Sequence, residues 1–171
     1  MLSSKIRVTV QPEKMVRLSE KYVRFYTKYA SIAFKSLKKP KFQKFVRWML
    51  RREKMEAHIV ETVQVRVFPF QKKNGNSLAG RCHVRTGEIR IYPKKLESCR
   101  KLVQKFGKEK AHSYIKNRAK ASLIHEILHL KYSSDEERVR ELTRKYLTLF
   151  FKHRNTQNSD AHNILKMLFK K

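Results

Sequence analysis

The chain has 171 residues, 42 of them Lys or Arg against 14 Asp or Glu, giving a formal net charge of +28. At 40% apolar and 11% aromatic it is too hydrophobic for a solvated basic tail and long enough to bury one core. Self-repulsion at this charge calls for a polyanionic partner: nucleic acid, an anionic surface or an acidic protein.

Lys or Arg interrupts every hydrophobic run, so no stretch reaches the roughly 18 apolar residues of a spanning helix. Met1 to Val10 lacks the apolar segment of a signal peptide. Cys82 and Cys99 are too few for a secreted scaffold and are expected as free thiols. A cytoplasmic, intracellular protein is the expectation.

Ile6, Val8 and Val10 alternate with polar residues as in a short strand. From Pro12 to about Leu37, apolar residues recur at helical spacing, including Met15, Val16, Tyr22, Tyr26, Tyr29 and Ala33. Lys38-Lys39-Pro40-Lys41 breaks that period. A second helix near Phe42 to Glu56 carries Phe45, Val46, Trp48 and Met49 beside many cations, so the two are expected as a basic helical hairpin. Trp48 and the tyrosines read as core rather than base-stacking platforms.

Val63, Val65 and Val67 then alternate with Thr62, Gln64 and Arg66, the period of a half-buried strand ending before Pro69. Arg81–Arg85 and Glu88–Tyr92 read as a hairpin turning at Thr86-Gly87. Together these predict a small antiparallel sheet of about three strands. A short helix from Leu96 to Phe106 closes at Gly107. Long helices follow over about Glu109–Lys131 and Asp135–Lys152, then a polar linker from His153 to Asp160 and an amphipathic tail. The organisation is therefore a basic helical region over 1–58, a core over 59–152 and a tail over 153–171. The densest cationic stretch supplies the candidate nucleic-acid contacts Lys38, Lys39, Lys41, Lys44, Arg47, Arg51, Arg52 and Lys54.

The specific chemical signal is His125-Glu126-Ile-Leu-His129. Two histidines four apart project from one helix face and can share a metal ion, and a glutamate after the first can take a proton from metal-bound water. Leu123, Ile124, Ile127, Leu128 and Leu130 surround them, so the helix is central and its polar groups need partners. A catalytic zinc site takes three protein ligands and keeps one position open.

Asp135, Glu136, Glu137 and Glu141 are candidates for the third. On a wheel of about 100° per residue centred on Val139, Glu136 falls on the rim of the apolar face and Glu137 on the solvated side. Glu137 also fits a capping box with Ser134 as N-cap. Asp135 is the alternative, at the offset where metzincins place a third ligand. The glycine of their turn is replaced here by Tyr132.

His125-Glu126-Ile-Leu-His129 followed by Glu136-Glu-Arg-Val139-Arg140-Glu-Leu-Thr143 resembles the gluzincin arrangement. A second helix there bears a glutamate ligand, with a small residue three positions on and a polar one four on. Arg140 departs from the usual aspartate. The resemblance spans roughly 59–152 and implies an α+β, zincin-like core. That core has a small antiparallel sheet, a backing helix, the H-E-x-x-H helix and the ligand helix, with the basic hairpin in front. It also implies Zn2+ on His125, His129 and Glu136, Glu126 as the proton-transferring base, and a peptide or protein substrate laid along the sheet's edge strand, for which Glu88, Ile89, Arg90, Ile91 and Tyr92 are the candidates. Tyr132, Tyr146 and Arg140 are candidates to stabilise the oxyanion. The expected function is zinc-dependent peptide hydrolysis, with the basic region addressing nucleic acid or another polyanion. The alternative is a basic nucleic-acid-binding protein whose zinc site is structural or vestigial.

Overall fold

The computed structural model describes residues 6–11, 18–72, 75, 77–153 and 158–170. In chain order these form β1 (Arg7–Gln11), α1 (Glu20–Leu37), α2 (Pro40–Arg52), a 3-10 turn (Ala57–Ile59), β2 (Thr62–Arg66), β3 (Phe70–Gln71), β4 (Ser77–Leu78), β5 (Gly80–His83), β6 (Glu88–Ile91), α3 (Leu96–Phe106), α4 (Lys108–Tyr132), α5 (Glu136–Lys152) and α6 (Asn158–Leu168). The class is α+β. Among the described residues, no helix is long and apolar enough to cross a membrane.

The sheet corrects the antiparallel expectation. It has four strands in the order β1-β2-β6-β5, in which β1–β2 and β2–β6 are parallel and only β5–β6 is antiparallel. The hairpin is local and was legible in the turn. Gly87 makes it with φ +66°, and a Cβ there would lie 2.3 Å from the Ile59 carbonyl oxygen. Parallel neighbours need a long crossover connection: β1 reaches β2 through α1 and α2, and β2 reaches β6 through β3, β4 and β5. No short-range pattern reports that pairing.

One sheet face is apolar: Val63, Val65, Ile89 and Ile91 are all buried. Helices α1 and α4 cover it. On the opposite face a polar ladder runs through Gln64 to Glu88 (3.1 Å) and Arg90 to Glu88 (2.7 Å).

The two N-terminal helices do not pair chiefly with each other. α1 lies on α4 and the sheet, while α2 lies on α5, where Phe42 and Phe45 meet Phe150 with ring centroids 5.4 and 5.2 Å apart. Their apolar side chains share one cluster with Leu123, Ile127, Leu128 and Leu147. Tyr26 and Tyr29 are buried, as the helical spacing implied. Helix α1 begins at Glu20 rather than Pro12: Leu18 and Ser19 precede it, and Pro12 to Arg17 lie outside the described residues. Cys82 and Cys99 are unpaired.

Buried polar ties lock these layers. Arg118 of α4 donates to the Tyr29 hydroxyl (3.3 Å) and the Tyr92 carbonyl (2.7 Å). At the end of α2, Glu53 accepts from Lys131 Nζ (3.0 Å), Tyr132 (2.6 Å) and Tyr146, joining α2 to α4 and α5. Burial alone would raise the pKa of Glu53, but the two tyrosine hydroxyls and Lys131 outweigh it and hold the carboxyl at about 2. A carboxylate held this low stabilises the fold above its ordinary pKa, and that stability is lost as pH falls from about 4.5 towards 2. The shift corresponds to as much as about 3 kcal/mol. Glu53→Gln is therefore expected to lower unfolding free energy by about 2–3 kcal/mol at pH 7 and to flatten the acid limb below pH 5, measured by urea denaturation across pH.

Candidate metal centre

Helix α4 is buried on nearly every side from Ala119 to Leu130. It presents His125 and His129 at its surface towards the start of α5, one turn apart as their spacing requires. The two Nε2 atoms lie 3.0 Å apart. The connection to α5 turns at Ser133, whose φ of +49° is unusual for a residue with a side chain. This conformation aims the Ser133 carbonyl at His129 Nδ1, 2.5 Å away. Helix α5 then begins with Glu136, which sets Oε1 3.4 Å from His125 Nε2 and Oε2 3.1 Å from His129 Nε2. Arg140, one turn on, donates to Glu136 Oε1 at 3.1 Å.

The outer hydrogen bonds assign the tautomers. Ser133 O can only accept, so His129 carries its proton on Nδ1. Thr143 Oγ1 donates to the Val139 carbonyl (2.7 Å) and is left as an acceptor for His125 Nδ1 at 3.5 Å. The Nε2 atoms of both rings thus face each other and the Glu136 carboxylate. Such a convergence of acceptors is repulsive unless a cation or shared protons sit among them. Burial, with smaller contributions from His129 and Arg140 against the opposing Glu136, holds the His125 imidazole down to about 4, so it is neutral at pH 7. His125, His129 and Glu136 together could hold a metal ion.

Glu126 is 7% exposed and lies against the edge strand β5. Burial pushes its carboxyl up to about 7, against the lowering influence of His129 and of a hydrogen bond from the Cys82 thiol. The Cys82 thiol is itself raised to about 11 by burial and by the Glu126 charge, so it stays protonated as the donor. Room for the carboxylate comes from Gly80: a Cβ there would stand 2.8 Å from Glu126 Cγ and 2.9 Å from Oε1.

Several expectations shift. Asp135 is the N-cap of α5, its carboxylate accepting from the Arg138 N–H at 3.1 Å, so the cap is Asp135 rather than Ser134. That bond turns the alternative ligand to a structural task. The strand Glu88–Ile91 is interior, paired with β2 on one side and β5 on the other, and Tyr92 follows it. The edge beside Glu126 is β5, because the crossover strands occupy the far side of β6. Tyr132 and Tyr146 donate to Glu53, and Arg140 donates its Nε–H to Glu136.

The basic candidates Lys38, Lys39, Lys41, Lys44, Arg51, Arg52 and Lys54 are exposed, with Arg47 half-buried, around the α1–α2 junction and along α2. Among the described residues none forms an ion pair. Lys38 and Arg52 instead lie over Phe34 and Trp48, at 4.9 and 5.4 Å.

Gly80, Cys82, Ser133 and Thr143 did not emerge from the sequence as site residues. A glycine within a strand pattern is the usual signal of a close approach. A backbone carbonyl such as Ser133 O carries no signal at all.

Compared with protein families, with curated proteins and with solved structures, the chain matches none of them.

Gly80→Ala is expected to displace Glu126 and destabilise the fold by about 1–3 kcal/mol, measured by denaturant unfolding. The same change in a Glu126→Ala background should cost clearly less, since the clash is with that side chain.

Proposed function

We propose that the protein is a zinc-dependent peptidase. The observation that carries this reading is the convergence of His125 Nε2, His129 Nε2 and the Glu136 carboxylate at 3.0–3.4 Å beside the buried Glu126. Zinc–nitrogen and zinc–oxygen bonds of about 2.0–2.1 Å in a tetrahedron imply ligand separations of about 3.4 Å. The donor set fits: two imidazoles, each with Nδ1 turned to an oxygen partner, and one carboxylate, the set typical of a catalytic centre. Zinc held there would supply Lewis acidity to a water and to a peptide carbonyl.

The chain's residues have distinct tasks. Ser133 O and the Thr143 hydroxyl fix the imidazoles, and Arg140 orients Glu136. Glu126, with a carboxyl near 7, can accept a proton at its carboxylate from a nucleophilic water and return it to a leaving amine. Strand β5 ends the described sheet beside Glu126, so its outer backbone groups can take an extended peptide by strand addition. Three ligands and a neighbouring base favour this reading over a structural zinc site, which would close its fourth position with Cys or His.

Metal content gives the first test. Wild type and Asp135→Ala should each retain one equivalent of zinc after gel filtration, and Glu136→Ala should lose it. Asp135→Ala should lose only about 1 kcal/mol of stability with its cap. Glu126→Gln should keep zinc while casein cleavage falls by at least about 100-fold. Equal cleavage, or equal inertness with zinc bound in both proteins, would remove the peptidase reading.

A further inference from the structure

Away from the metal centre, α1 and the first half of α4 enclose an open groove of about 850 Å³. Arg24, Lys28, Lys35 and Lys39 line it from α1 and the residues after it, and His112 and Lys116 from α4. The α1 positions Arg24, Lys28 and Lys35 are spaced by four and seven residues, so they form one stripe about 16 Å long, with Lys39 beyond its end. Glu20 is the acidic residue of the lining, and it is paired with Arg24 at 2.9 Å. The walls are pinned together by Ser36 Oγ donating to the Lys116 carbonyl at 3.1 Å. Burial, with Lys116 and Lys28, holds His112 below its ordinary pKa, consistent with a local field of uncompensated positive charge.

We propose that this α1–α4 groove is a binding site for the phosphodiester backbone of nucleic acid. The inference is independent of the zinc chemistry. A concave, pre-formed row of cations suits a polyanionic chain that lies along it and releases counterions on binding. The lining holds no Phe, Tyr or Trp, so it has no platform on which bases stack and no wedge to enter a bilayer, and binding is independent of sequence. The site differs from the outer face of α2, where Lys44 and Arg51 are exposed.

Two double reversals on the full chain separate the groove from bulk charge. Lys28→Glu/Lys35→Glu changes the groove, and Lys44→Glu/Arg51→Glu changes the outer face of α2. Each pair is exposed, seven residues apart, and alters net charge equally. Circular dichroism would establish that both variants are folded. The probes are a fluorescein-labelled 20-nucleotide oligothymidylate, titrated from 50 to 200 mM NaCl, and phosphatidylcholine/phosphatidylglycerol vesicles. The groove variant should bind the oligonucleotide at least tenfold more weakly at 50 mM salt, with a slope of log Kd against log salt shallower by about 1.5. The α2 variant should change by less than threefold, and wild type should favour the oligonucleotide over vesicles. Equal weakening in the two variants, an unaffected groove variant, or vesicle binding without oligonucleotide binding would each overturn the assignment.

Discussion

Helix α4 runs its polar chemistry through the middle of the protein, and everything around it is arranged to keep those groups partnered. Asn117, Arg118, Lys120 and Glu126 are each less than 10% exposed on this one helix. An unpaired polar group in such surroundings costs several kcal/mol, more than any single apolar contact returns. The neighbours are therefore specified by chemistry as well as by shape. Tyr29 and the Tyr92 carbonyl receive Arg118, Gly80 and Cys82 accommodate Glu126, and Ser133 and Thr143 hold the two histidines.

This constraint explains why α5 sits where it does. Its apolar stripe of Val139, Leu142, Tyr146, Leu147 and Phe150 packs into the core, and that packing fixes the rotation of the helix about its axis. Once the stripe is buried, Glu136 at the rim has one place to go, against the two imidazoles. The tight turn at Ser133 shortens the connection enough for this to happen without distorting either helix. Tyr146 is both part of the stripe and a hydrogen-bond donor to Glu53, so the end of α2, α4 and α5 are tied at one point. The proposed chemistry thus rests on an anchor among Glu53, Tyr132 and Tyr146 that contains none of the candidate ligands.

Charge is distributed by a different rule. The cations are not concentrated at the candidate metal centre, where Arg140 donates to Glu136. They cover α2's outer face and line the groove between α1 and α4. These are surfaces the core does not need, so a high positive charge can be carried there with little cost to packing while remaining available to a polyanion.

The helices, the β5–β6 hairpin and the pairing of His125 with His129 were legible in the sequence because each depends on spacings of a few residues. Helical period, strand alternation and the glycine at position 87 act within one or two turns of chain. The placement of Glu136, rather than Glu137, beside the two histidines was also legible, since a helical wheel needs only the identity of the buried face. Three things required the tertiary structure. Parallel pairing of β1 with β2 is set by a crossover through two helices, and the parallel pairing of β2 with β6 makes β6 interior and leaves β5 at the edge. The engagement of Asp135, Tyr132 and Tyr146 depended on which partners lay within hydrogen-bond reach. The groove is formed by stretches nearly 80 residues apart, and their apposition follows from how α1 packs on α4. The candidate donors on α4 and α5 are thus written in local sequence, whereas the groups that orient them, and the cationic groove between α1 and α4, exist only once distant segments have been brought into contact.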